Sequence, residues 1–153
     1  MAASGGTDPT ADQVQEDLIR LDAYRSQLNA LVQQHQILTA SRQDHLRARE
    51  SLEGIDRSVA GDEMLVPLGG ETFVRGTVRR DAPALIGVGS GIAAEMDRSK
   101  AAEMIAQRVT RIEQAIRDIE GQMQSVDERI QLLSRRLDAA SRASGAPSDV
   151  GRH

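Results

Sequence analysis

The histidines are the side chains best suited to bind a metal or to act as a base, and their spacing favours neither role. His35 and His45 lie ten residues apart on a predicted helix, and His153 is the last residue. Two metal ligands on one helix are typically four residues apart. The chain has no cysteine to complete a zinc site. No Ser-His-Asp arrangement can be argued from these residues either, so we expect no metal, no cofactor and no enzyme.

A glycine-rich run, Gly87-Val88-Gly89-Ser90-Gly91, raises the question of a phosphate-binding loop. Such a loop follows a strand, opens a helix and usually carries Lys followed by Ser or Thr. Ile92-Ala93-Ala94 is instead typical of a second strand. Turn chemistry therefore favours a β-hairpin at this run, and no nucleotide site is predicted.

Arg75, Arg79 and Arg80 form a small basic group near the middle of the chain. Two interpretations stay open: solvated arginines that protect a strand edge, or an ionic contact with a neighbouring protein. Nucleic-acid binding is disfavoured because 19 Lys and Arg alternate with 23 Asp and Glu, for a net charge of −4. The only aromatic residues are Tyr24 and Phe73, so bases have almost nothing to stack on.

No apolar run is long enough to predict a membrane-spanning helix. The first ten residues lack the basic start and apolar core of a signal peptide. We therefore expect a soluble, cytoplasmic protein.

A long helix is predicted over residues 10–54. Thr10-Ala11-Asp12-Gln13 fits a capping box at its start, and Gly54 is a plausible stop. Apolar residues spaced by 3 and 4 place one seam along the helix. The seam positions are Val14, Leu21, Tyr24, Leu28, Leu31, His35, Leu38, His45 and Leu52, widened by Leu18 and Val32. Between His35 and Arg49 the seam is polar, which leaves the register open there.

A second helix is predicted over residues 99–140, with Asp97 or Ser99 as its cap. Its seam alternates spacings of 4 and 3 for about five heptads, which is typical of a coiled coil. The seam residues are Ile105, Val109, Ile112, Ile116, Ile119, Met123, Val126, Ile130, Leu133, Leu137 and Ala140. Each helix is roughly 65–70 Å long, so we expect the two to pair antiparallel. Residues 1–9 and 141–153 are predicted to be disordered.

Residues 64–96, between the helices, predict two β-hairpins. Leu65–Leu68 and Thr72–Val74 flank Gly69-Gly70, and Leu85–Val88 and Ile92–Ala94 flank Gly89–Gly91. A lone hairpin is marginally stable, so both are expected to need a partner sheet. The residues predicted to form a β core or subunit contacts are Leu65, Val66, Leu68, Phe73, Val74, Val78, Leu85, Ile86, Val88 and Ile92. The predicted fold class is α+β, a long antiparallel two-helix coiled coil joined by two β-hairpins.

The order helix, two hairpins, helix resembles the α class of prefoldin subunits, which has two hairpins where the β class has one. The resemblance rests on Leu65–Gly70, Phe73–Gly76 and Leu85–Gly91 and covers residues 10–140. It implies an ATP-independent chaperone subunit in a hexamer of two α and four β subunits. The hairpins would then contribute to an oligomeric β-barrel platform. The tips of the coiled coils would hold unfolded client proteins and deliver them to a group II chaperonin, which the basic group could also contact.

The residues predicted to bind clients are at the free end of the coiled coil. On this hypothesis Val14, Leu18 and Leu21 of the first helix face a matching set on the second, and the distal turns splay to expose both. The matching residues are Leu133, Leu137 and Ala140. Two alternatives stay open: the six residues simply hold the coil together, or the chain is a non-chaperone scaffold or adaptor subunit of an oligomeric complex.

Overall fold

The computed structural model describes residues 10–59, 61–79 and 81–145. The segments 1–9 and 146–153, both predicted to be disordered, lie outside the described residues. The elements follow in the predicted order of helix, two hairpins and helix, which is therefore confirmed. Their bounds are α1 (Ala11–Arg57), β1 (Glu63–Gly69), β2 (Thr72–Thr77), β3 (Ala84–Gly89), β4 (Ile92–Met96) and α2 (Arg98–Ser144).

Helix α1 begins at the predicted capping box. The Thr10 N–H donates to Gln13 Oε1 at 3.0 Å, and the Gln13 N–H donates to Thr10 Oγ1 at 3.4 Å. The predicted stop at Gly54 is wrong, because the helix continues to Arg57. Ser58 holds the end instead: its N–H donates to the Gly54 carbonyl at 3.1 Å, and its hydroxyl to the Ile55 carbonyl at 2.6 Å.

Helix α2 begins after Asp97, one of the two predicted caps, whose carbonyl accepts the Ala101 N–H at 2.9 Å. It ends at Ser144, so four residues of the segment expected to be disordered are helical. The Ser144 hydroxyl donates to the Ala140 carbonyl at 3.0 Å, which helps to hold this last turn. Every predicted seam residue of α2 is buried or half-buried, as the spacing required.

The chain divides into two compact units, of which the first comprises residues 1–36 and 117–153. Within it the partners across the two helices are 17 with 136, 24 with 129 and 35 with 120. The residue numbers fall along α2 as they rise along α1, so the helices are antiparallel. The buried apolar residues between them are Leu21, Leu31, Ile119, Val126, Leu133 and Ala140.

The second unit comprises residues 37–116 and contains both hairpins. Its core is formed by Ile86 of β3 with Ala101, Ile105 and Val109 of α2. Half-buried apolar residues from α1, both strands of the second hairpin and α2 pack against this core: Leu46, Leu52, Ala84, Met96 and Met104. The second hairpin therefore rests on helices of its own chain.

Both hairpins turn through two residues with positive φ. These are Gly70 and Glu71 (φ 55° and 58°) in the first and Ser90 and Gly91 (φ 52° and 75°) in the second. Positive φ at both central positions matches the right-handed twist of the strands. The predicted Gly69-Gly70 turn was placed one residue too early. Gly69 instead belongs to a bulge at the end of β1.

The second hairpin repeats the first, twenty positions along the chain. Leu65 pairs with Arg75 as Leu85 pairs with Glu95, and the register shifts one residue before Gly69 as it does before Gly89. The repeat is not evident in the sequence, because few of the corresponding residues are identical. What the copies share is the bulge, the turn and the apolar pattern.

Candidate functional site

The first hairpin has exposed apolar residues on both faces. Directly opposed residues share a face, so Met64, Val66 and Val74 lie on one side and Leu65 and Phe73 on the other. Their exposed fractions run from 38% to 62%. A two-stranded sheet with both faces wet has little stability of its own. The exposed apolar residues of this hairpin therefore form a surface that is available for contact with another protein chain.

The second hairpin is covered on one face only. Leu85 on its outer face is 69% exposed, and Val88 and Ile92 beside the turn are also exposed. Eight of the ten residues predicted to form a β core or subunit contacts are thus exposed. Val78 and Ile86 are the exceptions, since each is only 7% exposed and packed within its own chain. These two residues add no free surface for a partner.

Two arginines of α2 attach the strand region to the helices. The Arg98 guanidinium lies 2.9 Å from Asp56 Oδ1 at the end of α1 and donates to the Arg79 carbonyl at 3.1 Å. Arg108 Nη2 donates to the Gly87 carbonyl at 2.6 Å. Sequence reasoning missed both residues. One signal was available for Arg98: a positive charge in the first turn of a helix opposes the helix dipole and needs a compensating contact.

The predicted basic group is partly neutralised by neighbouring carboxylates. Arg75 pairs with Glu63 across the first hairpin at 3.1 Å, and Arg79 pairs with Asp81 at 3.1 Å. The hydrogen bond from Arg79 holds the pKa of the Asp81 carboxyl below its usual range. Arg80 lies outside the described residues.

A buried acidic residue joins the two helices in the first unit. Asp17 is 7% exposed, and its carboxylate lies 3.2 Å from Arg136 Nη2. Sequence reasoning missed Asp17 because it is not apolar. It nevertheless stands seven residues before Tyr24 and so occupies the same heptad position. The heptad spacing alone would have identified it as a seam residue.

The polar part of the seam also has specific contacts. His35 Nε2 lies 3.2 Å from Glu120 Oε1, and His45 Nδ1 donates to the Ser41 carbonyl at 2.7 Å. Outside this polar part, the seam residue Tyr24 also has a polar neighbour: the Arg129 guanidinium lies 5.6 Å from the centre of its ring. Arg42 Nε is buried with no hydrogen-bond partner in the part of the chain that the structure describes.

The residues predicted to bind clients are mostly inside the helix pair. Leu21, Leu133 and Ala140 are buried, and Val14 and Leu137 are half-buried. Leu18 is the predicted residue that is exposed. Ile19 and Leu132 of the same unit are also exposed, although they were not in the predicted set. The exposed fractions are 53% for Leu18, 64% for Ile19 and 53% for Leu132. These three residues form the exposed apolar group of the first unit.

The model of the family described as prefoldin subunit matches residues 24–143. The chain belongs to the prefoldin family. Among similar proteins, prefoldin subunit alpha of Archaeoglobus fulgidus is 30% identical, with 67% of this chain and 74% of that protein covered. The expected resemblance to the α class is thereby confirmed.

Two other prefoldin relatives match over less of their own length. Prefoldin subunit alpha of Methanopyrus kandleri is 33% identical over 45% of this chain and 44% of that protein. Prefoldin subunit alpha 1 of Thermococcus kodakarensis is 26% identical over 63% of this chain and 66% of that protein. The matched region of the chain therefore spans less than half of the first relative's length and just under two thirds of the second's.

Solved prefoldin structures share the fold. A cryo-EM structure of filamentous PFD from Methanocaldococcus jannaschii has a TM-score of 0.65 at 21% identity, covering 76% of this chain and 96% of that one. The prefoldin β subunit from Thermococcus strain KS-1 has a TM-score of 0.56 at 19% identity, covering 84% and 91%. In the described ranges, neither helix is apolar enough over a sufficient length to cross a membrane.

Proposed function

We propose that this prefoldin-family chain is a chaperone subunit that binds non-native proteins without ATP and prevents their aggregation. It acts in the cytoplasm, assembled with β-type prefoldin subunits as two α and four β, and passes its clients to a group II chaperonin. One observation carries the proposal: Leu18, Ile19 and Leu132 are exposed close to where α1 begins and α2 ends.

Exposed aliphatic side chains suit a binder of unfolded proteins. Burial of apolar surface is favourable whatever the sequence of the partner, so such a group recognises any chain with exposed apolar residues. Terminal turns open more easily than the middle of a helix, and opening here would add the half-buried Val14 and Leu137. Several weak sites on one assembly would then hold a client more firmly than one site alone.

The hairpins support the assembly part of the proposal. Their exposed apolar faces need cover, and in prefoldin-like assembly they would contribute to a shared β-barrel platform. Assembly would also bring several copies of the exposed apolar group to one client. Holding should therefore be stronger for the complex than for this chain alone.

The test is light scattering of an unfolded model protein diluted into buffer without ATP, in the presence of this chain and a β-type partner. We expect suppressed aggregation with the unmodified chain and a marked loss with the triple variant Leu18→Ser, Ile19→Ser and Leu132→Ser. The matched control is Ile37→Ser, because Ile37 is 69% exposed on the same α1 helix but belongs to the other unit. A triple variant that assembles and still protects the model protein would refute the binding assignment.

A second candidate function is a scaffold subunit with one defined partner. It is favoured by the burial of Leu21, Leu133 and Ala140, since these residues hold the helices together in the structure. The two functions differ in promiscuity. A scaffold should leave the aggregation of several unrelated unfolded proteins unchanged, even when sedimentation shows full assembly with β-type subunits.

A further inference from the structure

Methionine carries all the sulfur in this chain. The sequence has five methionines and no cysteine, so an oxidant that attacks sulfur can act only on a thioether. Met1 lies outside the described residues. The other four are Met64 on β1, Met96 at the end of β4, and Met104 and Met123 on α2. Because methionine sulfoxide is polar where methionine is apolar, the effect of oxidation depends on what each side chain packs against.

Met96 and Met104 share one open groove. They line a groove of about 230 Å³ together with Lys100, Glu103 and Gln107. Both methionines are half-buried, so neither is completely shielded from solvent. The groove is large enough to admit several molecules the size of water, and hydrogen peroxide is only slightly larger. A small peroxide can therefore reach both residues while the chain stays folded.

The same two methionines pack against the core of the second unit. This core attaches the second hairpin to α2 through Ile86, Ala101, Ile105 and Val109. Met96 packs against it from the hairpin, and Met104 packs against it from the helix. Among the described residues, no other methionine packs against this core. The two side chains that a peroxide can reach in the groove are therefore also part of the attachment.

Oxidation removes apolar contacts from this attachment. A sulfoxide carries a strongly polar oxygen, and burying it against Ile86 or Ala101 without a hydrogen bond is unfavourable. The groove offers donors to that oxygen, since the exposed Lys100 ammonium and Gln107 amide line it. We therefore expect the oxidised side chains to turn from the core into the groove. The core then loses contacts from the hairpin and from the helix together.

We propose that Met96 and Met104 form an oxidation site through which a peroxide loosens the second hairpin from α2. At each sulfur a lone pair attacks one oxygen of hydrogen peroxide, the O–O bond breaks and an S–O bond forms. The displaced hydroxide takes the proton from the transferred oxygen and leaves as water. Sulfur loses two electrons and the peroxide gains them. Methionine sulfoxide reductases restore the thioether, so the loosening is reversible.

Peroxide treatment of the purified full chain tests the site directly. Peptide mass spectrometry locates the sulfoxides, and amide hydrogen exchange measures how firmly each hairpin is held. We expect sulfoxide at residues 96 and 104, together with faster exchange of the β3 and β4 amides. The β1 and β2 amides should change little, because none of the residues described in this core belongs to the first hairpin. Adding both stereospecific methionine sulfoxide reductases should restore the slower exchange.

Two double variants separate this site from the other methionines. Met96→Leu with Met104→Leu leaves Met64 and Met123 to be oxidised, whereas Met64→Leu with Met123→Leu leaves the groove pair. Leucine keeps a similar apolar volume, so both variants should fold. We expect peroxide to lower the melting temperature of the Met64→Leu/Met123→Leu variant by about 5 °C or more. In the Met96→Leu/Met104→Leu variant, peroxide should leave the exchange of β3 and β4 unchanged.

Any one of three results overturns the proposal. The first is sulfoxide at the exposed Met64 while residues 96 and 104 stay unoxidised. The second is an unchanged melting temperature of the Met64→Leu/Met123→Leu variant after oxidation of its groove pair. The third is faster β3 and β4 exchange in the oxidised Met96→Leu/Met104→Leu variant, which would place the sensitive residue elsewhere. None of these measurements uses chaperone activity, so the proposed function stands or fails separately.

Discussion

Asp17 is an acidic residue at a seam position that the heptad pattern reserves for apolar side chains. Its partner Arg136 has a side chain that is 54% exposed, so the arginine stays hydrated if the aspartate is removed. We expect Asp17→Leu to raise the free energy of unfolding by about 1–2 kcal/mol, because a leucine buried in the seam replaces a partly desolvated carboxylate. Urea unfolding at fixed protein concentration measures the change.

The matched control for this prediction is Asp22→Leu, since Asp22 is exposed on the same helix. It should shift the unfolding midpoint little. If Asp17→Leu lowered the midpoint, the ion pair with Arg136 would be stabilising the helix pair by more than apolar burial can replace.

Arg98 is predicted to contribute more to the free energy of unfolding than the exposed ion pairs do. Its side chain is 16% exposed and connects the end of α1, the segment between the hairpins and the start of α2. Arg98→Ala should lower the free energy of unfolding by about 1–3 kcal/mol, because the Asp56 carboxylate and the Arg79 carbonyl lose a donor whose own side chain is largely buried. Arg57→Ala is the control, since the ion pair that Arg57 makes among the described residues is an exposed 4.0 Å contact with Glu53. Similar effects of the two substitutions in thermal unfolding would show that Arg98 has no special role.

Single residues were predictable where their burial follows from spacing. Every residue predicted for the α2 seam is buried or half-buried, because apolar residues at intervals of 3 and 4 can only lie on one face. Ala101, which is fully buried four residues before Ile105, was not predicted. Asp17 and Arg98 could not be identified in this way, because their partners lie 119 and 42 positions away and only the fold brings them together. Leu18 was misplaced for a different reason: its spacing suggested a seam position, but its side chain is 53% exposed.

At the scale of elements, the first hairpin contains a local strain that can be removed. Glu71 has a φ of 58°, a left-handed conformation that costs a residue with a Cβ about 1 kcal/mol. Glu71→Gly should therefore raise the melting temperature by about 2–4 °C. Glu71→Ala keeps the strain and should leave the melting temperature nearly unchanged. Equal shifts for the two variants would mean that the glutamate side chain, and not its backbone, determines the stability of the turn.

Element order was predictable, and element ends were less so. The capping box at Thr10 follows from local hydrogen-bonding chemistry and was identified correctly, and Asp97, after which α2 begins, was one of the two caps predicted. Gly54 was misjudged because glycine can end a helix but does not have to, and the hydroxyl of Ser58 ends this one instead. The turn was displaced by one residue because glycine suits a bulge as well as a turn.

At the scale of the whole molecule, the exposed hairpin faces make stability depend on association. If the hairpins gain cover only from other subunits, the melting temperature should rise with protein concentration, because binding to the folded state alone stabilises it. Differential scanning calorimetry over a hundredfold range of concentration measures this. A melting temperature independent of concentration would indicate that the hairpins are stable without a partner.

Assembly was the least predictable level. The sequence indicated that the hairpins need a partner, since two-stranded sheets are weak, but it did not indicate that the second hairpin finds cover on one face within its own chain. That difference depends on the fold, which packs Ile86 against Ala101, Ile105 and Val109 of α2. Such information is created by folding and is absent from any local pattern.

The contact between Tyr24 and Arg129 gives the molecule a built-in optical probe. Tyr24 is the sole tyrosine, and the chain has no tryptophan to mask its emission. Its fluorescence in the purified protein therefore comes from a single point between α1 and α2, next to a guanidinium group on the opposing helix. Any event that separates the helices there changes the surroundings of one known ring, so helix opening can be followed in real time without a label.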